Sequence, residues 1–539
     1  MGTLDSLAIA HRIDAIFAPW NRPDTPGAAV GVLRGDEVIF ARGYGLASVE
    51  LGAPIGSDTA FRIASVSKQF TVAAALRLVR DGRLSLDDPP QKYLPDLPPL
   101  PEAITIEQMM RNTSGWPDFL ELLQLGGSNL DRPTRVEDLR ATVARNRHLN
   151  FAPGSRFLYS NTNFVALAWI VDAIEGRPLS DILADWIFKP LGMTRTALVV
   201  DNDTVVPHLA TAYLQTLDGS LRRARHAYPH GGEGGLVSTV EDLLIWARHC
   251  ARPWLKPTAL WADLAEPKPL TNGAPSPYLR GLWSAALRGL DTVGHGGLWP
   301  GYRTEFLRVP ARDLAVVVIA NLATIDPWNL ARETALAVLA GDSAVGPAAS
   351  LDLSAVGRAC GTWINEAEPS LFALELRAGV PTATQNGVPF SLVARADGWL
   401  QADRGAFEFA LKPPTPDATT MDVDLGAGRV LPFRRLADRA AVPPDIAGIY
   451  RSTDTGATWR IHEEGADWLV DVGGPLIASG APWTIRGLAD DLVEIEMASG
   501  GWMTVSQLAR IERDATGRVV RLRVHTGRIK AIPFDRVAA

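Results

Sequence analysis

A chain of 539 residues with a formal net charge of −7, 47% hydrophobic and 21% charged, has length for two to four domains and the composition of ordinary globular proteins. That charge excludes a phosphate-binding surface of clustered lysine and arginine: the one dense basic run, Arg222, Arg223 and Arg225, reads as a solvated loop, so no nucleic-acid partner is expected. The two cysteines, Cys250 and Cys360, are too few for a disulfide framework or a thiolate metal cluster and read as free buried thiols, which suits a reducing compartment.

The first twelve residues lack a basic segment followed by an apolar one, so no secretory signal is expected; Gly2 with Ser6 is a weak match to a myristoylation pattern. Ile9, Ile13, Ile16 and Phe17 give residues 7–17 the spacing of an amphipathic helix. Ala28–Leu33 and Glu37–Ala41 flank Arg34-Gly35-Asp36 and read as a β-hairpin. Next comes Ser65-x-x-Lys68, preceded by Phe61-Arg-Ile-Ala and followed by a run that is apolar nearly all round until Arg77. A central buried helix is expected there, ending at Asp81-Gly82. A serine at the first turn of such a helix has unpaired backbone N–H groups and a favourable dipole beside it, both suited to a developing oxyanion. Lys68 projects one turn on along the same face, and burial would lower its pKa until it can take the serine proton.

Further along, Phe151-Ala-Pro-Gly-Ser-Arg-Phe-Leu leads into Tyr159-Ser160-Asn161, an exposed loop whose phenol can relay a proton and whose amide can bind a carbonyl. His226, His230 and Glu233 have metal-like spacing, but Pro229 and Gly231-Gly232 argue against a helix holding the ligands, so no metal is expected. Ser238-Thr-Val-Glu241 is a capping box before Leu243, Leu244 and Trp246. Gly294-His295-Gly296-Gly297-Leu298 would let a substrate backbone lie against a strand edge, with the Leu298 N–H completing an oxyanion hole and His295 supplying a pH-tuned charge or a hydrogen bond. Thr304–Val309 and Leu314–Ala320 form a second hairpin, and Asp326-Pro327 starts a helix that stops at Gly341. Leu314–Ala320 is the longest strongly apolar run and too short to span a bilayer, so no membrane partner and a cytoplasmic location are expected.

Strands at both ends of this stretch and helices between them imply an antiparallel sheet with helices packed on it. After a linker at Gly341–Ser350, short alternating runs such as Leu371–Leu376 and Val519–Val524 indicate small all-β domains. Gly361-Thr-Trp363 and Gly448-Ile-Tyr450, about 87 positions apart, suggest two similar β-barrels divided near Asp438–Pro444. The expected domains are residues 1–341, 351–437 and 444–539.

Ser65-x-x-Lys68, Tyr159-Ser-Asn161 and His295-Gly-Gly297 in this order resemble the penicillin-binding-protein and class C β-lactamase superfamily over about residues 10–340. Arg111-Asn-Thr-Ser-Gly115, Phe151-Ala-Pro-Gly154, Pro190-Leu-Gly-Met193 and Gly234-Gly-Leu-Val-Ser-Thr239 add to the likeness. The resemblance implies an α/β fold: a β-lactamase-like domain with an antiparallel sheet, flanking helices and a helical lobe, followed here by two antiparallel barrels. It also implies an acyl-enzyme on Ser65, Lys68 and Tyr159 as proton carriers, Asn161, His295, Gly297 and Leu298 around the substrate, and no metal or cofactor. His295-Gly-Gly in place of Lys-Thr-Gly, the wording Ser65-Val-Ser-Lys-Gln-Phe70 and the appended β-domains are similar to the D-aminopeptidase branch. There, a loop of the last domain brings an acid to the substrate's ammonium; the corresponding loop here, about Gly473–Trp483, contains no acid, and neither Asp471 nor Asp490 beside it takes over that role. The expected activity is hydrolysis of amide bonds in small D-amino-acid-containing peptides. The alternatives are a peptidase of unusual linear peptides such as linearised microcystin; a β-lactamase, D,D-peptidase or esterase; or a non-catalytic penicillin-sensor-like binder. A homodimer is left open. Trp116 and Trp299 either shape an apolar pocket or pack in the core.

Overall fold

The computed structural model describes residues 3–128, 134–216, 218–225, 227, 231–252, 260–347, 350–385, 387–395, 397–402, 409–415, 418–426, 428–474, 481–497 and 506–537. Helix α1 (Thr3–Phe17) buries Ile9, Ile13 and Phe17, as their spacing requires. Strands β1 (Ala28–Arg34) and β2 (Glu37–Tyr44) form the first hairpin, and a 3-10 turn at Ala64–Ser67 runs into helix α2 (Lys68–Arg80). Helices α3 (Phe119–Leu125), α4 (Asn161–Glu175) and α5 (Val240–Cys250) lie in the helix-rich middle. Strands β3 (Trp283–Leu287), β4 (Leu290–Trp299), β5 (Tyr302–Val309) and β6 (Leu314–Ala320) precede helix α6 (Pro327–Val338).

The six strands form one antiparallel sheet in the order β3-β4-β5-β6-β1-β2. Strand β6 is central and buried along its whole length, because both faces of the sheet are covered. Leu314, Val316, Val318 and Ala320 pack with α1 and α6; Ala315, Val317 and Ile319 face the core shared with α2, α4 and α5. The end of β4 that runs past its β3 partner, after Gly294, thereby meets the turn that precedes α2.

Four details differ from the sequence expectations. The cap of α5 is Thr239, whose hydroxyl accepts the Asp242 N–H at 3.1 Å, whereas the Ser238 backbone is committed to pairing with Phe61. Tyr159, Ser160 and Asn161 are buried, and Asn161 opens α4, in place of an exposed loop; the glycine motif at 294–298 lies within β4, paired with β5 from Val293 to Trp299. Leu221–Arg223 is a short strand rather than a loop, and Arg223 pairs with Glu50 at 2.6 Å. Cys250 is buried, but Cys360 is partly exposed; both are free.

Two closed eight-stranded antiparallel barrels follow, from Gly361 to Arg435 and from Gly448 to Arg536. The internal echo marks the first strand of each. Trp363 donates its indole N–H to the Ala359 carbonyl at 2.8 Å, and Tyr450 donates its hydroxyl to the Ile446 carbonyl at 2.7 Å, four residues back in both cases. A last-strand arginine lies over each ring: Arg435 over Trp363 at 4.6 Å and Arg536 over Tyr450 at 5.8 Å. Gly361 and Gly448 have φ +135° and +156°, a backbone region that other residues rarely adopt, which accounts for the repeated glycine. A short helix at Leu353–Ala359, absent from the sequence expectations, buries Val356 and Ala359 in the core of the first barrel. No helix among the described residues is long and apolar enough to cross a membrane.

Candidate active site

Ser65 lies in the 3-10 turn that precedes α2, not within the α-helix itself. Ala64 beside it has φ +48°, a conformation costing a non-glycine residue about 1–3 kcal/mol. The turn is held from several sides: the Ser67 hydroxyl donates to the Ala64 carbonyl at 2.6 Å and accepts the Leu236 N–H at 3.1 Å, and the Ile63 N–H donates to the Leu236 carbonyl at 3.0 Å. This fixes a serine that is partly exposed in an otherwise buried segment.

Lys68 is completely buried. Its Nζ lies 2.9 Å from Ser65 Oγ, 2.8 Å from Asn161 Oδ1 and 2.6 Å from the Glu233 carbonyl oxygen. Loss of solvent is the largest influence on this amine and lowers its pKa to about 7; the Arg528 cation acts in the same direction, while the charges of Glu233 and Asp118 oppose it. Two of the three neighbours, an amide oxygen and a carbonyl, can only accept. They take both hydrogens of a neutral amine and leave its lone pair toward the Ser65 hydroxyl.

Asn161 is oriented by Asp118, which is fully buried and caps α3. Asp118 Oδ2 accepts the Asn161 backbone N–H at 2.7 Å and its Nδ2–H at 2.8 Å, so Oδ1 turns to Lys68. Glu233 accepts the Gly231 N–H at 2.9 Å. His226 and His230 lie outside the described residues, and among the described residues no group of three or more His, Cys, Asp or Glu could hold a metal ion.

The Tyr159 hydroxyl lies beside Ser65, which pulls its pKa down, but burial outweighs this and raises it, so Tyr159 keeps its proton. Its ring stacks on Trp283 at 6.2 Å and lies edge-on to Tyr278 at 5.8 Å. His295 is also buried, and its pKa falls to about 3 through desolvation and the nearby Lys68 charge. Its Nδ1 lies 2.6 Å from the Gly296 carbonyl, an obligate acceptor, so Nδ1 carries the hydrogen and Nε2 accepts from the Tyr278 hydroxyl at 2.9 Å. Of the two roles the sequence left open for His295, a pH-tuned charge and a hydrogen bond, the geometry has the neutral hydrogen-bonding group; enclosure by aromatic rings is the reason.

Gly297 marks the closest approach of β4 to the serine turn. A Cβ there would lie 2.3 Å from the Ile63 carbonyl oxygen, so only glycine lets the strand edge pass. Leu298, next on the strand, has an exposed side chain. Trp116 and Trp299 are buried and belong to the core.

A further group comes from the second barrel. Strands Val519–His525 and Ile532–Arg536 are joined by a turn that carries Arg528 onto the Tyr159 ring, 4.8 Å from its centre, with Nη1 3.7 Å from Asp118 Oδ2. In the expected loop Gly473–Trp483, residues 475–480 lie outside the described residues, and Gly474 abuts Gly126 of the N-terminal region. Sequence reasoning missed Asp118, Tyr278 and Arg528, and considered Glu233 only for metal spacing. Asp118 follows the singled-out Trp116 by two positions and could have been found as a helix cap; nothing local marks the other two.

A family model described as Beta-lactamase matches residues 13–340. A D-aminopeptidase of Cereibacter sphaeroides is 27% identical over 535 residues, covering 93% of this chain and 98% of that protein. A D-aminopeptidase of Gluconobacter oxydans is 31% identical over 297 residues, 55% of this chain; the match spans 56% of that relative's length. Among solved structures, the octameric penicillin-binding protein homologue of Pyrococcus abyssi superimposes with a TM-score of 0.55 at 22% identity, over 79% of this chain and 99% of that one. With the match over residues 13–340 joined to the fold described above, the chain belongs to the β-lactamase family.

Proposed function

We propose that this serine hydrolase is D-aminopeptidase-like and cleaves amide bonds of small D-amino-acid-containing peptides through an acyl-enzyme on Ser65. The likeness along nearly the whole chain to a D-aminopeptidase supports the substrate class. The observation that carries the chemistry is the buried Lys68 amine, 2.9 Å from Ser65 Oγ, with both its hydrogens directed at carbonyl acceptors. Neutral Lys68 takes the Ser65 proton as Oγ attacks the amide carbonyl. The N–H groups of Ser65 and Leu298 face the oxyanion, and each such donor contributes about 3 kcal/mol to the transition state. Tyr159, protonated and beside Ser65, passes its proton to the leaving amine and regains one from Lys68, which restores the neutral amine. Water then enters, Lys68 and Tyr159 repeat the transfer, and the acyl group leaves as an acid. Asn161 acts chiefly by orienting Lys68, since its amide is held between Asp118 and the amine.

The test is intact-mass detection of an adduct on Ser65 with a fluorophosphonate and with D-alanyl amides. The wild-type chain is expected to gain one phosphonyl group from the fluorophosphonate or one acyl group from the amide and Ser65→Ala neither, with turnover lowered on the order of 10⁴- to 10⁶-fold. Full amidase activity in Ser65→Ala would overturn the mechanism.

A further inference from the structure

Tyr278 lies in the segment that turns into β3, and groups outside the catalytic cluster fix its place. Before it, the Pro277 carbonyl accepts the Ser284 N–H at 2.9 Å. After it, the Leu279 N–H donates to the Leu282 carbonyl at 2.8 Å, the Arg280 N–H to the Leu264 carbonyl at 3.1 Å and the Gly281 N–H to the Met110 carbonyl at 3.1 Å. The Arg280 guanidinium is held by Glu107 at 2.9 and 3.0 Å. Gly281 has φ +74°, and a Cβ there would lie 3.3 Å from the Lys68 carbonyl oxygen, so the turn rests on the first residue of α2. Bonds on both sides of Tyr278 give its hydroxyl a defined origin.

The Tyr278 ring is completely buried, stacked on Phe157 at 5.7 Å and edge-on to Trp283 at 4.8 Å. Its hydroxyl bonds to His295 Nε2 at 2.9 Å, and burial raises its pKa so far that it stays a donor. The other imidazole nitrogen meets the Gly296 carbonyl at 2.6 Å. Together the two bonds occupy both ring nitrogens and stop the ring from rotating. The strand beside it needs such a hold. Pairing of β4 with β3 ends at Gly294, opposite Trp283, whereas pairing with β5 runs on to Trp299. Where the β3 ladder stops, a chain of two hydrogen bonds runs from the Tyr278 turn through the imidazole to the Gly296 carbonyl. Leu298 lies two residues farther along the strand. Packing alone does not account for the phenol, since phenylalanine would fill the same aromatic box.

Building on the reading of Ser65 as the nucleophile and of the Leu298 N–H as an oxyanion donor, we propose that Tyr278 is a positioning residue acting through His295: its hydroxyl holds the imidazole on the Gly296 carbonyl and thereby sets where the Leu298 N–H lies relative to Ser65. Without the hydroxyl, Nε2 is a buried acceptor with no donor, the ring turns, and the end of β4 loses its tether to the α2 side.

The experiment uses the full chain and a double-mutant cycle of Tyr278→Phe with His295→Leu, both of which keep the bulk of the side chain. With D-alanyl p-nitroanilide as substrate, Tyr278→Phe is expected to lower kcat by about 10- to 100-fold and to change KM little, because an oxyanion donor acts in the transition state. In the His295→Leu background the same substitution should change kcat by less than about 2-fold, since the group through which it acts is gone. An equal loss in both backgrounds would assign Tyr278 a merely structural part and overturn the proposal. A second readout does not depend on turnover: proton–nitrogen spectra of the chain labelled with ¹⁵N-histidine, the His295 signals being those missing from His295→Leu. The wild type is expected to show a slowly exchanging Nδ1 proton and an Nε2 that accepts a hydrogen bond; in Tyr278→Phe the Nδ1 proton should exchange faster and Nε2 should resonate as an unbonded nitrogen. Identical His295 signals in wild type and Tyr278→Phe would also overturn the proposal, as would an unchanged kcat in Tyr278→Phe while Ser65 still forms its adduct. The expected spectral change, found without any adduct on Ser65, upholds the tether and overturns the nucleophile assignment instead.

Discussion

The barrel of residues 361–435 touches the N-terminal region at an exposed ion pair, Arg156 with Glu368 at 3.2 Å, whereas the barrel of residues 448–536 takes Leu122 and Leu125 of α3 into its own core and lays Arg528 on the Tyr159 ring. The first barrel braces the second through Ile364 and Leu371, packed against Leu488, Leu492 and Leu508. Two domains with the same strand plan, and the same glycine–aromatic–arginine lock, thus do different work. A closed barrel satisfies its backbone internally, so nothing in the barrel itself dictates what it touches; the difference comes from one turn and the residues that receive it.

The largest effect that would sharpen this contrast is expected from the two core tryptophans. Trp459→Ala and Trp363→Ala each remove a fully buried indole and should each destabilise their barrel by about 3–5 kcal/mol in denaturant unfolding. Trp459 stacks on Phe534 at 3.9 Å and bonds across to Leu125, so kcat/KM of the folded enzyme should fall with Trp459→Ala and hold with Trp363→Ala. Equal losses of turnover would break the comparison. Next is Glu121→Ala, which strips the acceptor from the Arg528 N–H and the Thr526 hydroxyl; an unsatisfied buried donor costs about 1–3 kcal/mol, and lowered kcat/KM together with faster amide exchange at residues 526–530 should report it.

A smaller effect is a displaced pH profile. The acid limb of kcat/KM requires Lys68 to lose its proton, so activity falls as pH drops through the Lys68 pKa. Glu233 and Asp118 raise that pKa and Arg528 lowers it, so Arg528→Gln should move the limb to higher pH. The first-barrel control Arg435→Gln, whose side chain lies over Trp363, should leave the limb in place. Smallest of all, Arg156→Ala should change stability by less than about 1 kcal/mol and leave kinetics unaltered, because it removes one exposed ion pair and leaves Glu368 to Arg429.

How far the sequence reached follows the same division. Residues whose role is local were legible: Ser65 and Lys68 one helical turn apart, the β6 run of apolar residues, the Asp326-Pro327 helix start, and the paired Gly–aromatic strands of the barrels. Strand β3, Trp283-Ser-Ala-Ala-Leu287, lacks clean alternation and was not foreseen. His295 reads as either a titratable charge or a hydrogen-bonding group until the rings that desolvate it are assembled from Tyr159, Tyr278 and Trp283, far apart in the chain. Arg528 is illegible for the same reason, since a basic residue in a hairpin turn says nothing about the surface on which the hairpin docks.

Acylation of Ser65 requires a Lys68 amine that is neutral near physiological pH. Its most direct test is the pH dependence of Ser65 acylation by p-nitrophenyl acetate, followed as the p-nitrophenol burst in the wild-type enzyme and in Lys68→Met. The wild-type rate is expected to rise through an apparent pKa of about 7, and Lys68→Met to lose about 10²- to 10⁴-fold together with that limb. A limb near the ordinary lysine value of 10.5, or one that persists unchanged in Lys68→Met, would contradict it.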